Sequence, residues 1–153
     1  KDLPVLIDKI RDLGFLVKLD TNGSRPDMLR ALINESKLDH VAMDIKAAPK
    51  DYPLVCNIPS LDLKPVQESV SLLLEGRVSY EFRTTIVKEY HRENSMLQIG
   101  EWIRGADAYY LQSFKDSDFV PDHNLHPCDK KTLEHFATIL KPFVHSVSLR
   151  GVD

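Results

Sequence analysis

The sequence FLVKLDTNG at 15–23, followed by VAMDIK at 41–46, decides the fold of this chain. Each segment predicts a β-strand, and a helical pattern lies between them. Asp20, Asp44 and Lys46 come near the ends of these two apolar runs, where a buried strand would normally carry aliphatic side chains. Because ligands of parallel α/β folds bind beyond the carboxyl ends of the strands, these charges predict a binding site there.

Helical and strand patterns alternate along the rest of the chain. The predicted helices are 3–13, a segment opening at Pro26, 63–75, 95–104 and 130–140, and the predicted strands are 15–20, 41–46, 80–87, 108–114 and 145–150. The segments 47–60 and 115–129 are predicted to be loops. This order is typical of βαβ units and predicts an α/β fold with a parallel sheet, in one domain spanning 1–153.

The predicted strands alternate between apolar and polar side chains. Residues two apart along a strand share a face, so one face of the sheet would be apolar and the other polar. The polar face is predicted to carry Lys18, Asp20, Asp44, Lys46, Glu81, Arg83, Thr85 and Gln112. A closed eight-stranded barrel fills its interior with branched apolar side chains, so this pattern favours a curved, incomplete barrel with a wet cleft.

Charges of both signs on one face permit two interpretations. Two carboxylates together with a lysine and an arginine suit a zwitterionic ligand, since the carboxylates would bind an ammonium group or a small cation and the bases a carboxylate. The same residues could instead form a structural ion-pair network. The set consists of Asp20, Asp44, Lys46 and Arg83.

Composition excludes several classes of function. The chain has 20 Lys and Arg against 23 Asp and Glu, so nothing in its overall charge indicates a nucleic acid or an anionic membrane as partner. No apolar run reaches ~18 residues, and no signal peptide is visible. Cys56 and Cys128 lie far apart and are expected to be reduced thiols of a cytoplasmic protein, without a disulfide or a metal site of their own.

Three histidines fall in predicted loops. His123 and His126 have the His-x-x-His spacing of a metal site but lack a third ligand in the sequence around them. They and His91 are therefore interpreted as solvated loop histidines.

Four segments together carry a family resemblance. LDTNG at 19–23, MDIK at 43–46, EFRTTIV at 81–87 and YYLQSF at 109–114 resemble the radical S-adenosylmethionine enzymes that activate glycyl-radical enzymes, above all those of anaerobic ribonucleoside-triphosphate reductase, with pyruvate formate-lyase activating enzyme as a near relative. The resemblance implies a partial (β/α)6 TIM-like barrel, S-adenosylmethionine as cofactor and a [4Fe–4S] cluster. It also implies a glycyl-radical enzyme as partner, flavodoxin or ferredoxin as electron donor, and a 5′-deoxyadenosyl radical that abstracts hydrogen from a glycine of that partner.

The resemblance also implies which residues bind the cofactor. The polar strand face would line the pocket for S-adenosylmethionine. When the roles of the family's residues are transferred to the matching positions, Asp20 and Thr21 lie at the pocket, and Asn22 and Gly23 shape the turn. Asp44 and Lys46 would then meet the methionyl end of the cofactor, and Arg83 and Gln112 would lie deeper on the same face.

The sequence departs from that family in its iron–sulfur ligands. The family's CxxxCxxC loop and Gly-Gly-Glu segment are absent from this sequence, and two distant cysteines cannot replace the loop. The chain is therefore interpreted as a piece of a longer protein that starts just after the Gly-Gly-Glu strand and is inactive alone. Two alternatives stay open: a small-molecule binding module without redox chemistry, and a lyase or aldolase barrel with Lys46 as its Schiff-base lysine.

Overall fold

The structure, a computed structural model, describes residues 2–118, 120 and 122–152. Its helices and strands are α1 (Leu3–Asp12), β1 (Lys18–Thr21), α2 (Pro26–Asn34), β2 (His40–Asp44), α3 (Tyr52–Val55), α4 (Lys64–Leu74), β3 (Ser79–Ile86), α5 (Glu93–Trp102), β4 (Tyr109–Ser113), α6 (Lys130–Leu140) and β5 (Val147–Arg150). The strands of this described part form one sheet in the order β1-β2-β3-β4-β5, and the pairs β1–β2, β3–β4 and β4–β5 are parallel. The predicted α/β fold with a parallel sheet is confirmed.

The chain divides into two compact units. The first consists of Lys1–Asp44 and Asp62–Glu81, and the second of Ile45–Leu61 and Phe82–Asp153. The first three residues of β3 thus belong to the first unit and the remainder of the strand to the second. The single domain that the sequence suggested stays a prediction.

In the first unit, the neighbouring helices α2 and α4 bury one apolar stripe each. Pro26 opens α2 and Pro65 lies in the first turn of α4, where the missing N–H breaks no helical hydrogen bond. Apolar residues three or four apart then fall on one side of each helix. The buried apolar residues include Leu29, Leu32 and Ile33 in α2, and Val66, Val70, Leu72 and Leu73 in α4.

In the second unit, α6 packs beside α5 and against β4 and β5. Asp129 caps α6 because its carboxylate accepts a hydrogen bond from the Thr132 N–H at 2.7 Å. The core of this unit combines strand and helix side chains: Phe82, Ile86, Met96, Ile99, Tyr109, Leu111, Leu133, Phe136 and Leu140.

Several predicted bounds were wrong. The first strand begins at Lys18 rather than at residue 15, and Phe15 and Leu16 are 63% and 81% exposed. These two residues precede the ladder, which starts where Lys18 pairs with His40. The second strand ends at Asp44, so Lys46 follows β2 instead of lying in it.

The predicted loop 47–60 contains a 3₁₀ turn, Pro49–Asp51, and the one-turn helix α3. A single turn is too short to show helical periodicity, which explains why the sequence did not indicate it. No helix in the described ranges has both the length and the apolar character needed to cross a membrane.

Candidate functional site

The turn after β1 in the first unit is held by its own side chains. Thr21 Oγ1 accepts a hydrogen bond from the Gly23 N–H at 3.1 Å, and Asn22 Oδ1 accepts one from the Ser24 N–H at 3.0 Å. Such bonds are typical of threonine and asparagine in turns. The sequence thus predicted the place and the chemistry of this turn.

Gly23 is buried in this turn at a φ of +74°. A Cβ atom at this position would lie 2.1 Å from Met43 Cε and 3.3 Å from Ser69 Cβ. Ser69, which is buried in α4, donates its hydroxyl to the Gly23 carbonyl at 2.8 Å. The left-handed backbone therefore favours glycine, and any larger residue would also have to displace the end of the Met43 side chain.

Asp20 and Asp44 lie on one face of the β1–β2 pair. Asp20 pairs with Ala42, and Asp44 lies two residues further along β2, so both carboxylates are on the same side and near the strand ends. Asp20 is exposed, with its Oδ1 3.9 Å from Lys18 Nζ, and Asp44 is half-buried. Asp20 and Thr21 also line a cavity of about 290 Å³.

The predicted polar face is partly buried in the first unit. Ala42 is fully buried and Glu81 is 5% exposed. The Glu81 carboxylate lies 3.5 Å from Lys18 Nζ and 3.6 Å from His40 Nε2. His40 Nδ1 in turn lies 2.9 Å from the hydroxyl of Ser79. Glu81 thus lies in a group of polar partners, which the burial of a carboxylate requires.

A larger cavity of about 640 Å³ in the first unit contains none of the predicted site residues. It lies at the N-termini of α2 and α4. Its charged lining mixes both signs: Arg25, Asp27, Asp62, Lys64 and Glu68. Its size alone indicates no ligand.

In the second unit, both backbone groups of Lys46 are bound by buried side chains. The Lys46 N–H donates to the hydroxyl of Tyr52 at 3.0 Å, and the Lys46 carbonyl accepts a hydrogen bond from His91 Nε2 at 3.1 Å. Tyr52 is 2% exposed and His91 is 3% exposed, whereas the lysine itself is exposed.

The preceding residue, Ile45, is bound to β3. Its N–H donates to the Arg83 carbonyl at 2.7 Å, and its carbonyl accepts a hydrogen bond from Thr84 Oγ1 at 2.6 Å. The hydroxyl of Tyr109 lies 2.6 Å from the same Oγ1. Because Thr84 gives its one hydroxyl proton to the Ile45 carbonyl, the Tyr109 hydroxyl donates to Thr84 Oγ1. Burial raises the pKa of Tyr109 far above its usual range.

Arg83 and Gln112 lie on β3 and β4 of the second unit, both half-buried. Arg83 pairs with Tyr110, and Gln112 pairs with Arg150 on β5. The Arg150 guanidinium stacks 3.4 Å from the centre of the Tyr110 ring. The sequence analysis did not place Arg150 on the polar face. Its spacing of two residues from Ser148 in the last strand could have indicated that the two polar side chains share a face.

The interpretation of His91 as a solvated loop residue was wrong. The imidazole is buried, and burial lowers the pKa of His91. The His-x-x-His pair does not share a site: His123 pairs with Asp116 at 3.4 Å and His126 with Glu89 at 2.8 Å. Among the residues that the structure describes, no three potential metal ligands form a group.

Cys56 and Cys128 are free thiols, as predicted. Both are half-buried, and burial raises the pKa of each thiol. They are thus poorly suited to act as thiolates at neutral pH.

Three comparisons with known proteins bear on this geometry. No protein-family model matches the chain. Over 148 residues, the chain is 27% identical to a protein of Methanocaldococcus jannaschii that is named as a candidate glycyl-radical enzyme activating enzyme. The match covers 94% of this chain and 62% of that relative, so the chain spans less than two thirds of the relative's length.

The fold is also found in a solved structure. It matches the crystal structure of a domain of pyruvate-formate lyase-activating enzyme from Bacteroides vulgatus with a TM-score of 0.76, covering 96% of this chain and 88% of that one. The two sequences are 12% identical, so this likeness shows the fold alone. It confirms the predicted fold class, a parallel α/β fold of the kind seen in an activating-enzyme domain.

Proposed function

We propose that this chain is part of a radical S-adenosylmethionine enzyme that activates a glycyl-radical enzyme. The observation that carries the proposal is the sequence similarity to the M. jannaschii protein over 94% of the chain. The shared fold is compatible with it, because the solved domain comes from an activating enzyme for pyruvate-formate lyase. Fold alone would not justify a function.

The side chains present fit S-adenosylmethionine. Its methionyl end is a zwitterion beside a sulfonium, and by the family resemblance the carboxylates of Asp20 and Asp44 would bind the positive groups. Lys46 and Arg83 would bind the carboxylate, and Gln112 would be a further hydrogen-bonding group. When bound, the cofactor supplies the 5′-deoxyadenosyl group for hydrogen abstraction. The residues of this chain would bind and orient it.

The described residues do not fit an iron–sulfur cluster. Such a cluster needs several closely spaced thiolates, and this chain has two cysteines, one directly after α3 and one just before α6. We therefore assign no cluster ligand to this chain, and we propose that other parts of the full-length protein supply the ligands. The relative's greater length leaves room for them.

The partner is part of the same proposal. We assign the activity to a glycyl-radical enzyme of the anaerobic ribonucleoside-triphosphate reductase type in the cytoplasm, with flavodoxin or ferredoxin as electron donor. The motifs LDTNG, MDIK and EFRTTIV support this assignment. Purified candidate partners can be compared directly for the appearance of a glycyl radical by electron paramagnetic resonance.

The test uses the full-length gene product, purified without oxygen and reconstituted with iron and sulfide. We expect reduction with dithionite to convert S-adenosylmethionine to 5′-deoxyadenosine and methionine. Asp44→Asn and Lys46→Ala should each weaken cofactor binding at least tenfold, measured by calorimetry. Lys50→Ala, an exposed lysine in the nearby 3₁₀ turn, is the matched control and should bind normally.

The 153-residue chain alone is expected to bind S-adenosylmethionine weakly or not at all, since it holds no cluster. Tight binding by this chain would contradict a large role of the cluster in holding the cofactor. A reconstituted full-length protein that forms no 5′-deoxyadenosine would overturn the proposed function.

A further inference from the structure

We propose that Tyr52 and His91 are positioning residues that fix the Lys46 peptide and thereby direct the lysine side chain to its ligand. The proposal rests on the proposed function, in which Lys46 binds S-adenosylmethionine. It concerns two residues that neither the sequence motifs nor the comparisons associate with a site.

Lys46 needs such support because it lies beyond the end of its strand. The ladder of β2 ends at Asp44, and a residue past a strand end normally leaves its backbone groups to water or to loop atoms. Instead, the Lys46 N–H and carbonyl bind the Tyr52 hydroxyl and the His91 imidazole, at 3.0 and 3.1 Å. One bond holds the peptide unit before the Lys46 Cα and the other holds the peptide unit after it, so together they fix the backbone from which the exposed side chain departs.

The two partners are themselves held by further contacts. Tyr52 lies in α3, is buried and packs edge-on against Trp102 with ring centres 5.9 Å apart. His91 Nδ1 lies 3.0 Å from the Val87 N and 3.2 Å from the Val87 carbonyl oxygen, whereas Nε2 faces the Lys46 carbonyl, which can only accept. A neutral ring with its proton on Nε2 therefore satisfies both the Val87 N–H and the Lys46 carbonyl. Burial lowers the pKa of His91 and keeps the ring neutral. The donor role of Nε2 therefore follows from local geometry.

The turn that carries His91 is also anchored. Val87 forms an antiparallel bridge with Pro127, and the Lys88 N–H donates to the His126 carbonyl at 3.0 Å. His126 is in turn bound through its N–H to the Glu89 carboxylate at 2.9 Å. Residues 126 and 127 thus bind the turn at Val87 and Lys88, and Val87 in turn binds the His91 imidazole. The imidazole then binds the Lys46 carbonyl.

Fixing a binding residue before its ligand arrives lowers the entropy lost on binding. A purely structural role for the same bonds would stabilise the fold but would not act through the lysine side chain. The two roles differ in one measurable respect, which is whether the effect of a positioning variant on ligand affinity depends on the presence of Lys46.

The experiment is a double-mutant cycle in the reconstituted full-length protein, with S-adenosylmethionine as the probe. Tyr52→Phe removes the hydroxyl without changing the shape of the ring. It should weaken binding about tenfold in the wild-type background and by less than twofold in the Lys46→Ala background. His91→Leu should behave like Tyr52→Phe, whereas His91→Gln, which keeps a side-chain N–H donor, should recover most of the affinity.

Amide hydrogen exchange adds a readout that needs no ligand. In the 153-residue chain, Tyr52→Phe should speed exchange at the Lys46 N–H at least tenfold while the Ile45 N–H, bonded to Arg83, stays protected.

The possible failures can be told apart. If Lys46→Ala binds S-adenosylmethionine as well as the wild type, the role of Lys46 in the proposed function is wrong, and the positioning role fails with it. If Lys46→Ala weakens binding but Tyr52→Phe weakens it equally in both backgrounds, or not at all, only the positioning proposal is overturned. Unchanged exchange at Lys46 in Tyr52→Phe would also overturn it.

Discussion

The two units hold the ends of their strands by different means. In the first unit, Gly23 packs directly against Met43 and Ser69, and one added carbon would have to displace the end of the Met43 side chain. In the second unit, the backbone groups of Ile45 and Lys46 are held by hydrogen bonds with buried side chains. Packing of the first kind is sensitive to an increase in side-chain volume, whereas a polar network is sensitive to the loss of a donor or acceptor even when the shape of the side chain is kept.

The largest expected effect tests the packed turn. Gly23→Ala should lower the free energy of unfolding by about 2–4 kcal/mol, because it combines a left-handed backbone with overpacking. Gly76→Ala is the matched control in the same unit, since its φ is +69° and a Cβ there would meet no atom within 4 Å. It should lower the free energy of unfolding by only about 1 kcal/mol. Urea denaturation of both variants measures the difference, and equal losses would contradict the role of packing.

A smaller effect tests the polar network. Thr84→Val keeps the shape of the side chain but removes the hydroxyl between the Ile45 carbonyl and Tyr109, and should destabilise the chain by about 1–3 kcal/mol. The adjacent Thr85 is exposed, so Thr85→Val should stay within about 0.5 kcal/mol of the wild type. Thermal and urea unfolding check both. A Thr84→Val protein as stable as the wild type would show that the network contributes nothing to stability.

The smallest effect is a pH dependence from His91. Its pKa in the folded chain lies below the usual 6.5 because of burial, opposed by Asp51 and by the carbonyls of Lys46 and Val87. The unfolded state therefore takes up the proton first as pH falls. The contribution of His91 to the free energy of unfolding is fully present above about pH 6.5. As the pH falls below that value, this contribution decreases by at most about 1.4 kcal/mol per pH unit, the limit for one proton.

Unfolding midpoints between pH 5 and 8 measure this slope. Lys88, Cys128 and Asp129 line the same cavity of about 310 Å³ as His91, and they are unchanged in the variant His91→Gln. That variant should flatten the curve below pH 6.5, whereas His145→Gln, at an exposed histidine, should not. Parallel curves for wild type and His91→Gln would contradict the buried neutral imidazole.

The difference between the units also explains what sequence could predict. The turn 21–24 is local: threonine, asparagine and glycine bind and shape their own backbone, so their chemistry is visible in four consecutive letters. The parallel sheet followed from the alternation of helical and strand patterns along the chain. The network around Lys46 joins residues up to 45 positions apart, and neither Tyr52 nor His91 lies in a periodic segment. Their burial is a property of the tertiary structure, which local pattern does not encode.

The contact of Gly23 with Met43 has a consequence for how this sequence can vary. The Met43 thioether lies where a side chain at position 23 would have to go. A shorter residue at 43, such as alanine, would open that volume, so the penalty for Gly23→Ala should shrink in a Met43→Ala background. Across homologues, residues 23 and 43 should then covary. The glycine of DTNG and the methionine of MDIK would be constrained together, because side chains at the two positions compete for the same volume.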